Sequence, residues 1–169
     1  PNPSIGGLDK DGAVIRGVAN FDGKPKRGKP IRMQSDKFCM NAHTGEEPPR
    51  EQTYVFNENE TLRHVFVWIS KGLEGQTFDA PAKRIIDQHG CIYHPHVSGV
   101  VAGVPFEIHN SDSTLHNVDV QTKNNGSFNE GMPVAGMVLT KTFDKPESGI
   151  PFKCQVHPWM LSYVHVISH

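Results

Sequence analysis

The chain has 169 residues, 36% of them hydrophobic, with 17 Lys and Arg against 18 Asp and Glu for a formal net charge of −1. That length suits one domain with a sizeable core, no apolar run approaches the ~18 residues of a membrane span, and near-neutrality removes the global field that draws a protein to nucleic acid or an anionic membrane. Sixteen glycines and thirteen prolines scattered without period point to many turns, while ten histidines and three cysteines are the unusual counts, because an odd cysteine needs a use outside a disulfide.

The predicted elements are short alternating strands bounded by turn residues. In chain order they cover residues 13–21, ending at Asp22-Gly23, and 63–70, where His64, Phe66 and Trp68 alternate with Val65, Val67 and Ile69. The stretches 104–109, 115–121, 137–143, 150–155 and 161–168 follow, and no amphipathic helix exceeds two turns. Residues 24–51, with Pro25, Pro30, Pro48 and Pro49, and residues 124–136 resist a strand reading. The basic group Lys24, Lys26, Arg27 and Lys29 reads as a solvated charged loop. Regular strands separated by Gly, Pro and Asn turns predict an all-β sandwich or barrel. A division near residue 95 is expected, with a β-rich N-terminal extension (1–95) and a core (96–169) in a single elaborated domain. The chain opens at Pro1 with no charged-then-apolar segment, which reads as a processed form whose signal has been removed.

The sharpest local signal is Cys154-Gln155-Val156-His157-Pro158-Trp159-Met160, a C-x-x-H-x-x-M spacing between two strands. Thiolate, imidazole and thioether together select copper, since the sulfur donors favour Cu(I) and imidazole accepts either oxidation state. Zinc sites more often use several thiolates and no thioether. His116, at the start of the 115–121 strand, is the candidate for the second imidazole of a His2Cys site with a weak axial Met. Taken singly, Cys154 also fits a buried structural thiol and Met160 a core filler. His94 and His96 alternate as on one strand face and, with His89 or His43, are candidates for a second metal, although such pairs more often hydrogen-bond in loops.

From about residue 97 to 168 the chain resembles the cupredoxins, the blue type 1 copper proteins of plastocyanin and amicyanin type. The matched pieces are Gly103-Val104-Pro105-Phe106-Glu107-Ile108-His109-Asn110, then His116-Asn117-Val118, the strand and turn from Thr142 to Gly149, and Ile150-Pro151-Phe152-Lys153-Cys154 leading into the ligand loop. Gly17-Val18-Ala19-Asn20-Phe21-Asp22-Gly23-Lys24-Pro25 resembles an extension found on some plastocyanin-like proteins.

The resemblance implies a Greek-key β-sandwich holding one mononuclear type 1 copper, with His116, Cys154 and His157 equatorial and Met160 axial. It implies that the Asn117 amide faces the thiolate while its side chain pins the two ligand loops, although Gln155 replaces the usual hydroxyl partner. It implies one-electron exchange, without catalysis, through an exposed edge of His157, inside an apolar docking rim of Met132, Pro133, Val134, Pro158 and Trp159. The expected partners are a redox donor and acceptor, such as a cytochrome or a copper or quinone enzyme, for a monomer in the periplasm or otherwise exported. In that compartment Cys39 and Cys91 are expected to pair, anchoring the polar excursion; a cytosolic protein would show two free thiols. The competing functions are a copper-binding or delivery protein and a type 1 domain of a nitrite-reductase-like or oxidase-like enzyme.

Overall fold

Strand formation in this chain follows side-chain alternation. Phe106, Ile108 and Asn110 are buried while Glu107 and His109 are half-exposed, and the same period-2 burial runs along the last strand. The computed structural model describes residues 16–76, 78 and 82–169. Its strands are β1 (Ile85–His89), β2 (Ile92–His94), β3 (Val97–Val101), β4 (Phe106–Asn110), β5 (His116–Val120), β6 (Phe128–Met132), β7 (Met137–Lys141), β8 (Glu147–Lys153) and β9 (Leu161–Ile167), preceded by one short helix, α1 (Lys37–Ala42). They form a four-stranded sheet in the order β2-β1-β4-β7 and a five-stranded sheet in the order β3-β9-β8-β5-β6.

Both sheets are mixed, with β1 parallel to β4 and β3 parallel to β9. The chain passes between sheets after β2, β3, β4, β6 and β7, the crossing connectivity of a Greek-key sandwich. Ile86, Phe106, Ile108, Val118, Val120, Ile150, Phe152, Val164 and Val166 fill the space between the sheets. Phe106, Phe143 and Phe152 pack at tilted or edge-on angles with centroids 5.3–6.3 Å apart.

The structure moves three sequence expectations. The sandwich begins at Ile85, so the division expected at residue 95 falls inside its β2–β3 connection. β1 and β2 escape a strand reading because they are short and joined by a two-residue turn, Gly90-Cys91, with φ of 62° and 56°. In place of a β-rich extension, the described residues of 16–84 contain only α1 and the isolated bridges Asn20↔Thr61, Pro30↔Arg50 and Phe56↔Leu62. The strand expected at 63–70 forms no ladder, and the one expected at 13–21 leaves a single bridge at Asn20, its residues 13–15 lying outside the described part. The 63–70 alternation has a different cause. Phe66 lies flat on His165, with centroids 4.3 Å and planes 10° apart, over Gly99, where a Cβ would come within 2.6 Å of the ring. Finally, β6 lies within 124–136, where its Gly131 and polar residues hide the period.

Candidate metal centre

Four strand termini converge at one end of the sandwich. His116 opens β5, Cys154 follows the last residue of β8, Met160 precedes the first of β9, and Asn110 closes β4. Asn110, fully buried, has its Nδ2 within 2.8–3.3 Å of the carbonyls of Met132, Val134 and Thr114, and its Oδ1 accepts the Asp112 amide at 2.9 Å. That side chain gathers the loops on either side of His116. The Cys154–Met160 loop closes on itself, the Met160 N–H donating to the His157 carbonyl at 2.9 Å and the Cys154 N–H to the Met160 carbonyl at 3.3 Å.

His116, Cys154 and His157 come together and are buried. The Nδ1 atoms of His116 and His157 face each other at 3.0 Å, and Cys154 Sγ is 3.7 Å from His157 Nδ1. Met160, 1% exposed, sits at the end of the same loop. The outer ring edges are held too. His116 Nε2 lies 2.9 Å from Asp112 Oδ2, and His157 Nε2 lies 3.3 Å from Asp36 Oδ2. With each Nε2 facing a carboxylate, both Nδ1 atoms turn toward one another and toward the sulfur, a set of donor atoms that suits a cation between them.

The electrostatics agree. Burial raises the Cys154 pKa, but the side chains of His116 and His157 and the amides of Asn117 and His157 outweigh it and bring the thiol down to about 6. Burial disfavours charge on His116, yet its bond to Asp112 and its contact with Cys154 push it up to about 9. Burial likewise raises Asp112, whose hydrogen bonds from His116 and the amides of Cys91 and Gly90 win and lower it. Two imidazoles and a thiolate, with no further thiolate able to join, fit copper better than zinc.

Asn117 joins the start of β5 to the Cys154–Met160 loop. Its Oδ1 accepts the amides of Gln155 at 2.6 Å and Val156 at 3.4 Å, so the partner is backbone and Gln155 can replace a hydroxyl residue. Gln155 itself bonds Asp119 and Asn129. The pair Cys39–Cys91 forms a disulfide, leaving Cys154 as the free thiol.

The exposed edge of His157 is corrected: that residue is 1% exposed. α1 and its N-cap Asp36 lie against the imidazole, with Cys39 Sγ 3.4 Å from Nε2. Met132, expected on the docking rim, is fully buried, because it occupies the inward face of β6 opposite His116 and takes the Gln88 Nε2–H on its sulfur at 3.0 Å. Trp159 is half-buried, donating to the Cys91 carbonyl at 3.0 Å and packing on His157 at 5.1 Å. Pro133, Val134 and Pro158 remain exposed. His94 and His96 do not share a face. His94 is exposed at the end of β2, and His96 is buried with Nδ1 3.0 Å from the Leu161 carbonyl. His43 bonds the Gly90 carbonyl, and among the described residues none of His43, His89, His94 or His96 enters a cluster of ligand atoms.

Sequence reasoning missed Asp36, Asp112 and Tyr93. The Tyr93 hydroxyl reaches across from β2 to the carbonyls of Asn117 and Lys153 at 3.1 and 3.3 Å. Asp112 carried one usable signal, its i,i+4 spacing to His116; Asp36 and Tyr93 carried none.

No protein-family model matches the chain, and no curated protein does. Solved structures do. The chain is similar to the copper-containing nitrite reductase of Thermus scotoductus, at 21% identity over 62% of this chain and TM-score 0.47, and it spans 25% of that enzyme's length. It is similar to a purple cupredoxin from Nitrosopumilus maritimus, at 21% identity over 50% of this chain and 100% of that one, TM-score 0.43. It is also similar to amicyanin from Paracoccus versutus, at 24% identity over 53% of this chain and 86% of that one, TM-score 0.45. All three similarities have TM-scores below 0.5, and the two-sheet β-sandwich is read from this chain's own strands.

Proposed function

We propose that this chain is a copper-binding electron carrier, holding one type 1 copper through His116 Nδ1, Cys154 Sγ and His157 Nδ1, with Met160 as the weak fourth donor. The observation that carries this reading is the 3.0 Å approach of two imidazole Nδ1 atoms beside a buried thiol whose pKa is lowered to about 6. Copper bound there supplies one-electron cycling between Cu(I) and Cu(II). The chain's own part is to hold donors acceptable to both states in fixed positions and keep water from them. Asp112 and Asn117 fix the first imidazole and the thiolate, and the sandwich beneath them makes the frame stiff.

Closure of the site supports a carrier over a delivery protein. A cavity of about 780 Å³ beside Pro158, Trp159 and Leu161 meets none of the four donors. A delivery protein needs an exchangeable site, whereas all four donors are at most 3% exposed. The partner is a redox protein, docking on the apolar residues Leu115, Val134, Val156 and Pro158 at the same end of the molecule. The Cys39–Cys91 bridge supports an oxidising, exported location. No helix among the described residues is long and apolar enough to cross a membrane.

Reconstitution of the metal-free protein with Cu(II), followed by visible absorption, EPR and voltammetry, tests the reading. The expected result is an intense thiolate-to-copper band, reversible one-electron voltammetry and slow loss of copper to a chelator, all absent in Cys154→Ser. Rapid loss to the chelator without the band would favour delivery, and turnover of nitrite or dioxygen would favour an enzyme.

A further inference from the structure

The cover over His157 is wired to the site by a repeated arrangement. Each half of the disulfide gives its own amide to the carboxylate that holds one imidazole. Cys91 N–H donates to Asp112 Oδ2 at 2.7 Å, and Asp112 holds His116; Cys39 N–H donates to Asp36 Oδ1 at 3.1 Å, and Asp36 Oδ2 faces His157 Nε2 at 3.3 Å. Thr114 Oγ1, two residues before His116, donates to the same Asp36 oxygen at 2.9 Å. Asp112 is local to its histidine, whereas Asp36 is 121 residues from His157 in sequence and caps α1, which the disulfide ties to the Gly90-Cys91 turn.

We propose that Asp36 is a positioning residue for His157, kept in place by the Cys39–Cys91 bridge, which sets the ring in its Nε2–H tautomer and seals its outer edge from water. A carboxylate on the outer nitrogen fixes ring orientation and makes the inner nitrogen a better donor. The Cys39 sulfur, 3.4 Å from the same Nε2, occupies space that water would otherwise take. Electrons that enter or leave by way of His157 therefore cross the α1 cover, because the imidazole has no edge of its own at the surface. The role in metal binding rests on the copper reading; the tautomer does not.

Asp36 also caps α1, so a variant must preserve the cap. Asn is as good an N-cap as Asp, and Asp36→Asn removes only the anionic acceptor; Asp36→Ser, another capping residue, is the second variant. In metal-free protein, ¹⁵N shifts of the His157 ring are expected to report a single Nε2–H tautomer in the wild type and a mixture in both variants, with faster exchange of the ring N–H. Copper affinity, measured by competition with a chelator, is expected to fall about 10–100-fold, as is usual for loss of such an outer partner. The Cys39→Ser/Cys91→Ser double variant is expected to reproduce the tautomer change with Asp36 intact. An unchanged tautomer and exchange rate in folded Asp36→Asn and Asp36→Ser would overturn the proposal even if the wild type binds copper. A changed tautomer in a protein that binds no copper would uphold the positioning role and remove the copper reading instead.

Discussion

Residues 85–169 and residues 16–84 are built on different principles. The first region is two ladders of backbone hydrogen bonds closed on a core in which Ile86, Ile108, Val118, Phe152 and Val164 have no exposed surface. The second has, among its described residues, no ladder longer than one bridge and leaves Val18, Tyr54, Val67 and Trp68 at least 45% exposed. It is held from outside, by the Cys39–Cys91 bond, the Asp36 contacts and the Phe66 stack on His165. The ladders set the positions of His116, Cys154 and Met160, and the covering region closes over what the ladders present. A segment with little core of its own can serve a buried site when covalent and charged contacts replace area.

The largest break in this comparison is expected inside the sandwich. Phe152→Ala should destabilise the whole protein by about 3–5 kcal/mol, read as a lowered midpoint of cooperative urea unfolding. Next comes the latch. The bridge closes a sequence separation of 52 residues, and its double replacement by Ser should cost about 2–4 kcal/mol. That loss should appear first as hydrogen exchange in residues 30–50, with the β8 and β9 amides still protected. Phe66→Ala should cost less, about 1–2 kcal/mol, since the ring is only half-buried on one sheet face. A Phe66→Ala loss as large as that of Phe152→Ala would mean that the two regions share one core and would break the comparison.

The smallest effect sharpens the account of the ligand end. In metal-free protein the ultraviolet thiolate absorbance of Cys154 should appear with a midpoint near pH 6, against about 8.5 for an ordinary thiol. The linked stabilities have opposite signs. The Cys154 contribution is present above its unfolded value and lost as pH falls through about 6, whereas that of His116 is present below about 6.5 and lost as pH rises through about 9. Between about pH 6.5 and 8.5 the two slopes oppose, so the metal-free melting temperature should change little there. A steep change across that window would show that His116 and Cys154 do not form a charged pair.

What the amino-acid sequence determined was whatever is written within a few residues. The strands β4, β5, β7, β8 and β9 declared themselves by alternation, and Cys154, His157 and Met160 by a spacing that fits one loop. β1, β2, β3 and β6 did not, because three to five residues around Gly or polar positions give too short a period to read. His116 was legible as a histidine at a strand start, and Asp112 was within reach as its i,i+4 neighbour. The tertiary structure alone decided that His157 is covered rather than exposed. That outcome depends on Asp36 and Cys39, more than a hundred residues away, and a contact across such a distance leaves no local pattern in the chain. Donor chemistry belongs to residue types and spacing, while access to the donors belongs to packing.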